Sequence, residues 1–159
     1  MNILILDGDI DYAKIVRGEL IAQGVGGVFL ATDPRLALDA FSRNRIDALI
    51  VEWFPDFVRF LRTAKHSPSP RVPIIMTSGR TRIQDILYAR DSGINEFVAK
   101  PVVTADLLQH LSHAIENSRR FVFAEAFTGP DRRRKPRSDF PGPERRQDER
   151  SGDGKPTDP

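Results

Sequence analysis

Five short, largely apolar runs punctuate the first hundred residues, and each closes on polar side chains: Ile3–Leu6 on Asp7, Val25–Ala31 on Thr32 and Asp33, Ala48–Val51 on Glu52, Val72–Met76 on Thr77, and Glu96–Ala99 on Lys100. Runs this short with no polar face read as strands covered on both sides. The stretches between them read as helices. Asp11 can cap one carrying Ile15, Val16, Leu20 and Ile21, which should stop near Gly24. Thr32-Asp33-Pro34 offers a cap with proline in the first turn, ahead of Leu36, Ala37, Ala40 and Phe41. Phe57, Phe60 and Leu61 mark a third helix, Ile83–Arg90 a fourth, and Thr104 caps a last one with Leu107, Leu108, Leu111, Ala114 and Ile115 on its apolar stripe. Strands alternating with helices predict an α/β fold, a doubly wound five-stranded parallel sheet. Ligands of such sheets bind beyond the carboxyl ends of the strands, so Asp7, Glu52, Thr77 and Lys100 should converge there.

The chain has two compositional parts. Nearly all Ile, Leu and Val fall before residue 118, whereas half of the prolines and a dense set of arginines lie in 119–159. The boundary therefore falls at 118, with a folded domain before it and a flexible arginine-rich extension after it that cannot bury a core of its own. The formal net charge of +2 hides this division because the extension's acids offset part of its arginine charge. Such a mixed-sign tail is not a plain polycation for nucleic acid. The absence of cysteine excludes disulfides and thiol chemistry and is compatible with the cytoplasm. No run reaches the length of a membrane span, and the opening Ile3–Leu6 run is too short for a signal peptide. His66, His110 and His113 have no ligand spacing to an acid cluster, so no metal site is expected at them.

Asp7 after the first strand, Thr77 after the fourth, Phe97 in the fifth and Lys100-Pro101 at its end together resemble the CheY-like receiver domain of response regulators, over about residues 1 to 118. The resemblance implies a flavodoxin-like fold, no enzyme activity, and a pocket of Asp7, Asp9, Glu52, Thr77 and Lys100. Two departures put phosphotransfer in doubt. Glu52 stands where the family has its phosphoacceptor aspartate, and Gly8 where it has a second metal-binding acid, with Asp9 following. A carboxylate one methylene too long misaligns an in-line attack, and a missing oxygen ligand weakens a site for octahedral magnesium, so neither phosphoryl transfer nor Mg2+ is expected. Glu52 is expected to pair with Lys100 as a structural ion pair; partial mimicry of the phosphorylated state is the other reading. Trp53 is expected to pack over the vacated pocket.

The tail repeats one phrase, Gly129-Pro130-Asp131-Arg132-Arg133 and Gly142-Pro143-Glu144-Arg145-Arg146. Arginine presents a planar fork that pairs with phosphate oxygens or with the O6 and N7 of guanine, and its plane stacks on a base. A neighbouring Asp131 or Glu144 can accept from the guanine N1–H and amine, and Gly-Pro gives a stiff turn that aims the side chains. Arg119, Arg120, Arg134 and Arg137 extend the cationic set. Two such units suit a ligand with two guanines and two phosphates. A degenerate receiver followed by an arginine-rich tail resembles the Cle group of CheY-like proteins. That resemblance implies binding of cyclic di-GMP and docking on the flagellar motor switch through the last-helix face, here Tyr88, Phe97 and the solvent side of residues 104 to 118. The tail is expected to be loose until ligand draws it against the receiver, with Phe121, Phe123 and Phe127 as the apolar contact. The competing readings are a regulator controlled by phosphorylation, a nucleic-acid-binding tail, and a pure protein-docking adaptor.

Overall fold

The computed structural model describes residues 1–116, 121–124 and 127–131. Its body is a five-stranded parallel sheet, β1 (Asn2–Leu6), β2 (Gly27–Ala31), β3 (Ala48–Val51), β4 (Ile74–Ser78) and β5 (Glu96–Ala99), in the order β2-β1-β3-β4-β5. The intervening helices are α1 (Ile10–Ala22), α2 (Pro34–Arg43), α3 (Pro55–Thr63), α4 (Ile83–Ser92) and α5 (Thr104–Glu116). This is the doubly wound, flavodoxin-like arrangement that the run pattern predicts.

Strand alternation splits the core in two. Leu4, Leu6, Leu49, Val51, Ile74 and Met76 pack with Phe57, Val58 and Leu61 of α3 on one face. Ile3, Ile5, Ile50 and Ile75 pack with Leu20 of α1 and with Leu107 and Leu111 of α5 on the other. Leu4, Leu6, Leu20, Leu49, Leu61, Ile74 and Met76 are fully buried, and each such side chain contributes roughly 1.5–3 kcal/mol relative to exposure. Among the described residues no helix is long and apolar enough to cross a bilayer.

Local details differ from the sequence expectations. Asp9, not Asp11, caps α1, its Oδ1 accepting from the backbone N–H groups of Asp11 and Tyr12. The helix consequently buries Ala13, Val16 and Leu20 and turns Ile15 and Ile21 to solvent. Asp33 caps α2 as expected, but Leu36 and, in α3, Phe60 are exposed. Thr104 opens α5, and its hydroxyl bonds to the Glu19 carboxylate of α1.

Two further strands lie beyond residue 118. β6 (Phe121–Ala124) and β7 (Phe127–Pro130) pair antiparallel, with Phe121 opposite Pro130 and Ala124 opposite Phe127. β7 packs against α3 and α4. Two glycines permit this approach. A Cβ on Gly129 would lie 2.9 Å from the Gly93 Cα, and one on Gly93 would lie 3.0 Å from the Thr128 carbonyl oxygen. Gly93 also ends α4 with φ of 106°, a left-handed conformation that side chains disfavour. The first Gly-Pro is therefore buried strand, not the stiff turn expected from composition. Composition could not separate a ten-residue apolar hairpin from the charged sequence after it.

Candidate functional site: the carboxyl edge of the sheet

The pocket is built where β1, β3, β4 and β5 end. Asp7 follows β1 and is almost completely buried. Its Oδ2 accepts from the Lys100 ammonium at 2.7 Å, and its Oδ1 from the Asp9 backbone N–H at 2.9 Å. Lys100 reaches it from the end of β5, where the Lys100–Pro101 peptide is cis. The same ammonium lies 4.1 Å from the centroid of the Tyr12 ring on α1. Lys100 thus has a carboxylate and an aromatic face as partners. Tyr12 titrates above the ordinary phenol range, first because of burial and second because of the negative charge of Asp7.

The expected Glu52–Lys100 pair does not form. Glu52, directly after β3, instead accepts from the Ser78 hydroxyl at 3.3 Å. Ser78 is a pocket residue that the run pattern does not single out. The run pattern ends the fourth strand at Met76 and puts Thr77 at its edge. In the structure β4 continues to Ser78, held by Ser78 pairing with Ala99 and by the Lys100 N–H donating to the Ser78 carbonyl. Thr77 is consequently buried inside the sheet opposite Val98, and Ser78 supplies the hydroxyl at the strand end. The displaced signal was the hydroxyl pair Thr77-Ser78, which periodicity alone could not resolve.

Asp9 belongs to the helix cap and not to the pocket's interior. Among the described residues no three His, Cys, Asp or Glu side chains converge in a way that could hold a metal ion. The acids nearby have other partners: Asp7 pairs with Lys100, Asp9 accepts from the α1 backbone, and Glu52 accepts from Ser78.

Trp53 packs against the core beside Phe54 and Phe97, all three half-buried. Its ring lies 6.2 Å from that of Tyr88 on α4, tilted by 31°, and the Arg80 guanidinium sits 5.0 Å over it. Of the nucleotide-binding candidates, Asp131 is described and lies directly after β7. Arg119, Arg120, Arg132, Arg133, Arg134, Arg137, Glu144, Arg145 and Arg146 lie outside the described residues.

No family model matches the chain. It is 23% identical over 120 residues to chemotaxis protein CheY-3 of Vibrio cholerae, covering 73% of this chain and 92% of that protein. It is 28% identical over 116 residues to the swarming motility regulation protein RssB of Serratia marcescens, covering 70% of this chain and 51%, about half, of that relative. Among solved structures, the receiver domain of the sensor histidine kinase PA1611 from Pseudomonas aeruginosa aligns with a TM-score of 0.63 at 25% identity, over 72% of this chain and 97% of that one. The Francisella response regulator 1452 receiver domain aligns with a TM-score of 0.65 at 18% identity, over 74% and 98%, and shares the fold. The parallel-sheet body of this chain has the receiver fold and is similar in sequence to CheY-like response regulators.

Proposed function

We propose that this protein is a cyclic di-GMP-responsive signalling protein, in which the receiver body is scaffold and docking unit and the arginine-rich segment takes up the nucleotide. One observation carries the reading: a twice-written Gly-Pro-acid-Arg-Arg phrase, 129–133 and 142–146, follows a receiver whose lysine is already bound to Asp7. A receiver with Lys100 so engaged and Glu52 at the acceptor position favours an input other than a phosphoryl group. The phrase suits a ligand bearing two guanines and two phosphates, each unit offering guanidinium forks to a phosphate or Hoogsteen edge and a carboxylate to a Watson–Crick edge.

Its output is docking on a protein partner in the cytoplasm, with the flagellar motor switch as the partner that the family resemblance implies. The contact face would be α4, β5 and α5, including Tyr88 and Phe97. Two relatives, named as a chemotaxis protein and a swarming motility regulation protein, support a motility role.

Replacing Arg132, Arg133, Arg145 and Arg146 together by Ala tests the site. Calorimetric titration should show cyclic di-GMP binding in the wild type and none in the variant, with the receiver still folded. Undiminished affinity in the variant would dismiss these arginines. A phosphoryl adduct formed from an acyl phosphate donor with magnesium would favour the phosphorylation-controlled reading instead.

A further inference from the structure

A row of alternating guanidinium groups and aromatic rings runs along the seam between α3 and α4. It begins under the hairpin, where the buried Arg62 guanidinium lies 5.4 Å from the centroid of the Phe121 ring. One turn earlier on the same face of α3, Arg59 lies 5.5 Å over Tyr88 of α4. Tyr88 meets Trp53 at 6.2 Å, and Arg80 covers Trp53 at 5.0 Å. The row ends at the mouth of the pocket, because Trp53 adjoins Glu52 and the Arg80 backbone N–H donates to the Ser78 hydroxyl oxygen.

Its hairpin end belongs to the fold. Its outer end is open: Tyr88 is 44% exposed, and Arg80 stands in solvent. Among the described residues, the only carboxylate paired with the row's outer guanidinium groups is Asp56, 3.5 Å from Arg59 and itself exposed. Exposed pairs of this kind are weak and readily exchanged. Guanidinium groups are also weakly hydrated, so they leave water at low cost when a planar or anionic partner arrives.

The hairpin brings the start of the first phrase, Gly129 and Pro130 of β7, against α3 and α4. Gly129 is packed on Gly93 at the end of α4, and Tyr88 lies five residues back along that helix, roughly 7.5 Å by helical rise.

We propose that the Trp53–Tyr88 pair is the receiver's own half of the nucleotide site. A purine base of the ligand stacks on the pair, and Arg59 and Arg80 turn from the rings to the ligand's phosphates. This rests on the nucleotide reading above and adds a second, structurally distinct half to it. It also gives the receiver a direct means of sensing the ligand, through contacts on α4.

Trp53 is the only tryptophan in the chain, so its fluorescence reports this one position. Cyclic di-GMP is titrated into the full chain with calorimetry and fluorescence in parallel. The inference expects Trp53 emission to be quenched in step with the binding heat. It expects Tyr88→Leu and Trp53→Leu each to weaken binding roughly tenfold, since base stacking on an aromatic ring contributes about 1–3 kcal/mol, and Trp53→Phe to restore most of it. Binding heat with unchanged emission, and Tyr88→Leu affinity within twofold of wild type, would overturn the stacking half while the tail site stands. No binding heat in the wild type would overturn both.

Discussion

Lys100 reaches past Glu52 and bonds to Asp7 at 2.7 Å, joining the end of β5 to the end of β1. The Asp7 side chain is 4% exposed and that of Lys100 22%, so removing one partner strands the other. Lys100→Met should destabilise the receiver by about 3 kcal/mol. Asp7→Asn added to it should recover part of that loss, because a neutral amide is easier to leave in the pocket. Urea unfolding of the single and double variants measures both. A Lys100→Met loss below about 0.5 kcal/mol, the size of an ordinary surface change, would contradict the pairing.

Glu52 has a weaker attachment, one 3.3 Å bond from Ser78 that Gln can also accept. Glu52→Gln should therefore shift stability by no more than about 0.5 kcal/mol and leave cyclic di-GMP affinity unchanged. Intact-mass measurement of the wild type with an acyl phosphate donor and magnesium should show no adduct. A large affinity loss in Glu52→Gln would mean that the old pocket takes part in binding.

Arg62 ties the hairpin's floor together. It donates to the carbonyls of Gly93, Pro70 and Val72 at 2.8, 2.9 and 2.8 Å, and to the Asn95 side chain at 3.2 Å. Losing a charged donor with this many oxygen partners should cost about 3 kcal/mol in Arg62→Met, through carbonyls left unsatisfied. Burial pushes the Arg62 guanidinium down to about 9, well below the ordinary guanidinium range. With the folded value the lower one, the unfolded chain binds the extra proton only above about pH 9, and stability rises with pH only there. Between pH 6 and 8 the gap between wild type and Arg62→Met should thus stay constant. A gap that changes across that range would contradict the assignment.

Gly129→Val places a side chain where Gly93 Cα lies 2.9 Å and Phe127 Cζ 2.8 Å from the new Cβ. Overpacking of this kind costs about 1–3 kcal/mol, and the strain is relieved by lifting β7. Amide NMR should then show shifts in residues 121–131 and along α4, with β1 and β3 unmoved. Spectra unchanged in the hairpin would mean that it does not lie on α4.

The sheet was legible because five apolar runs without a polar face leave a parallel, two-sided sheet as their only economical arrangement. Asp7, Glu52 and Lys100 were legible as strand-end residues for the same reason. Their pairing was not: which of two carboxylates meets Lys100 depends on side-chain reach across three strand ends, which sequence spacing does not encode. Ser78 escaped because Thr77 and Ser78 both carry hydroxyls and the strand end is set by hydrogen bonds to β5. The hairpin escaped because Phe121–Pro130 is a small apolar island in a polar sequence. Its docking depends on two glycines, Gly93 and Gly129, far apart in the chain.

A tail acting only by charge would bind nucleic acid with affinity falling steeply as salt rises and with little regard for the base. Titration of the full chain against single-stranded RNA at two salt concentrations should instead show weak binding throughout, because acids offset part of the tail's charge.

The central claim is that this receiver answers to a guanine dinucleotide. It is tested most directly by calorimetric titration of the full chain with cyclic di-GMP, cyclic di-AMP and GTP under identical conditions. The account predicts saturable binding of cyclic di-GMP alone, lost when Arg132, Arg133, Arg145 and Arg146 become Ala. Equal binding of all three nucleotides, or binding of none, would contradict it.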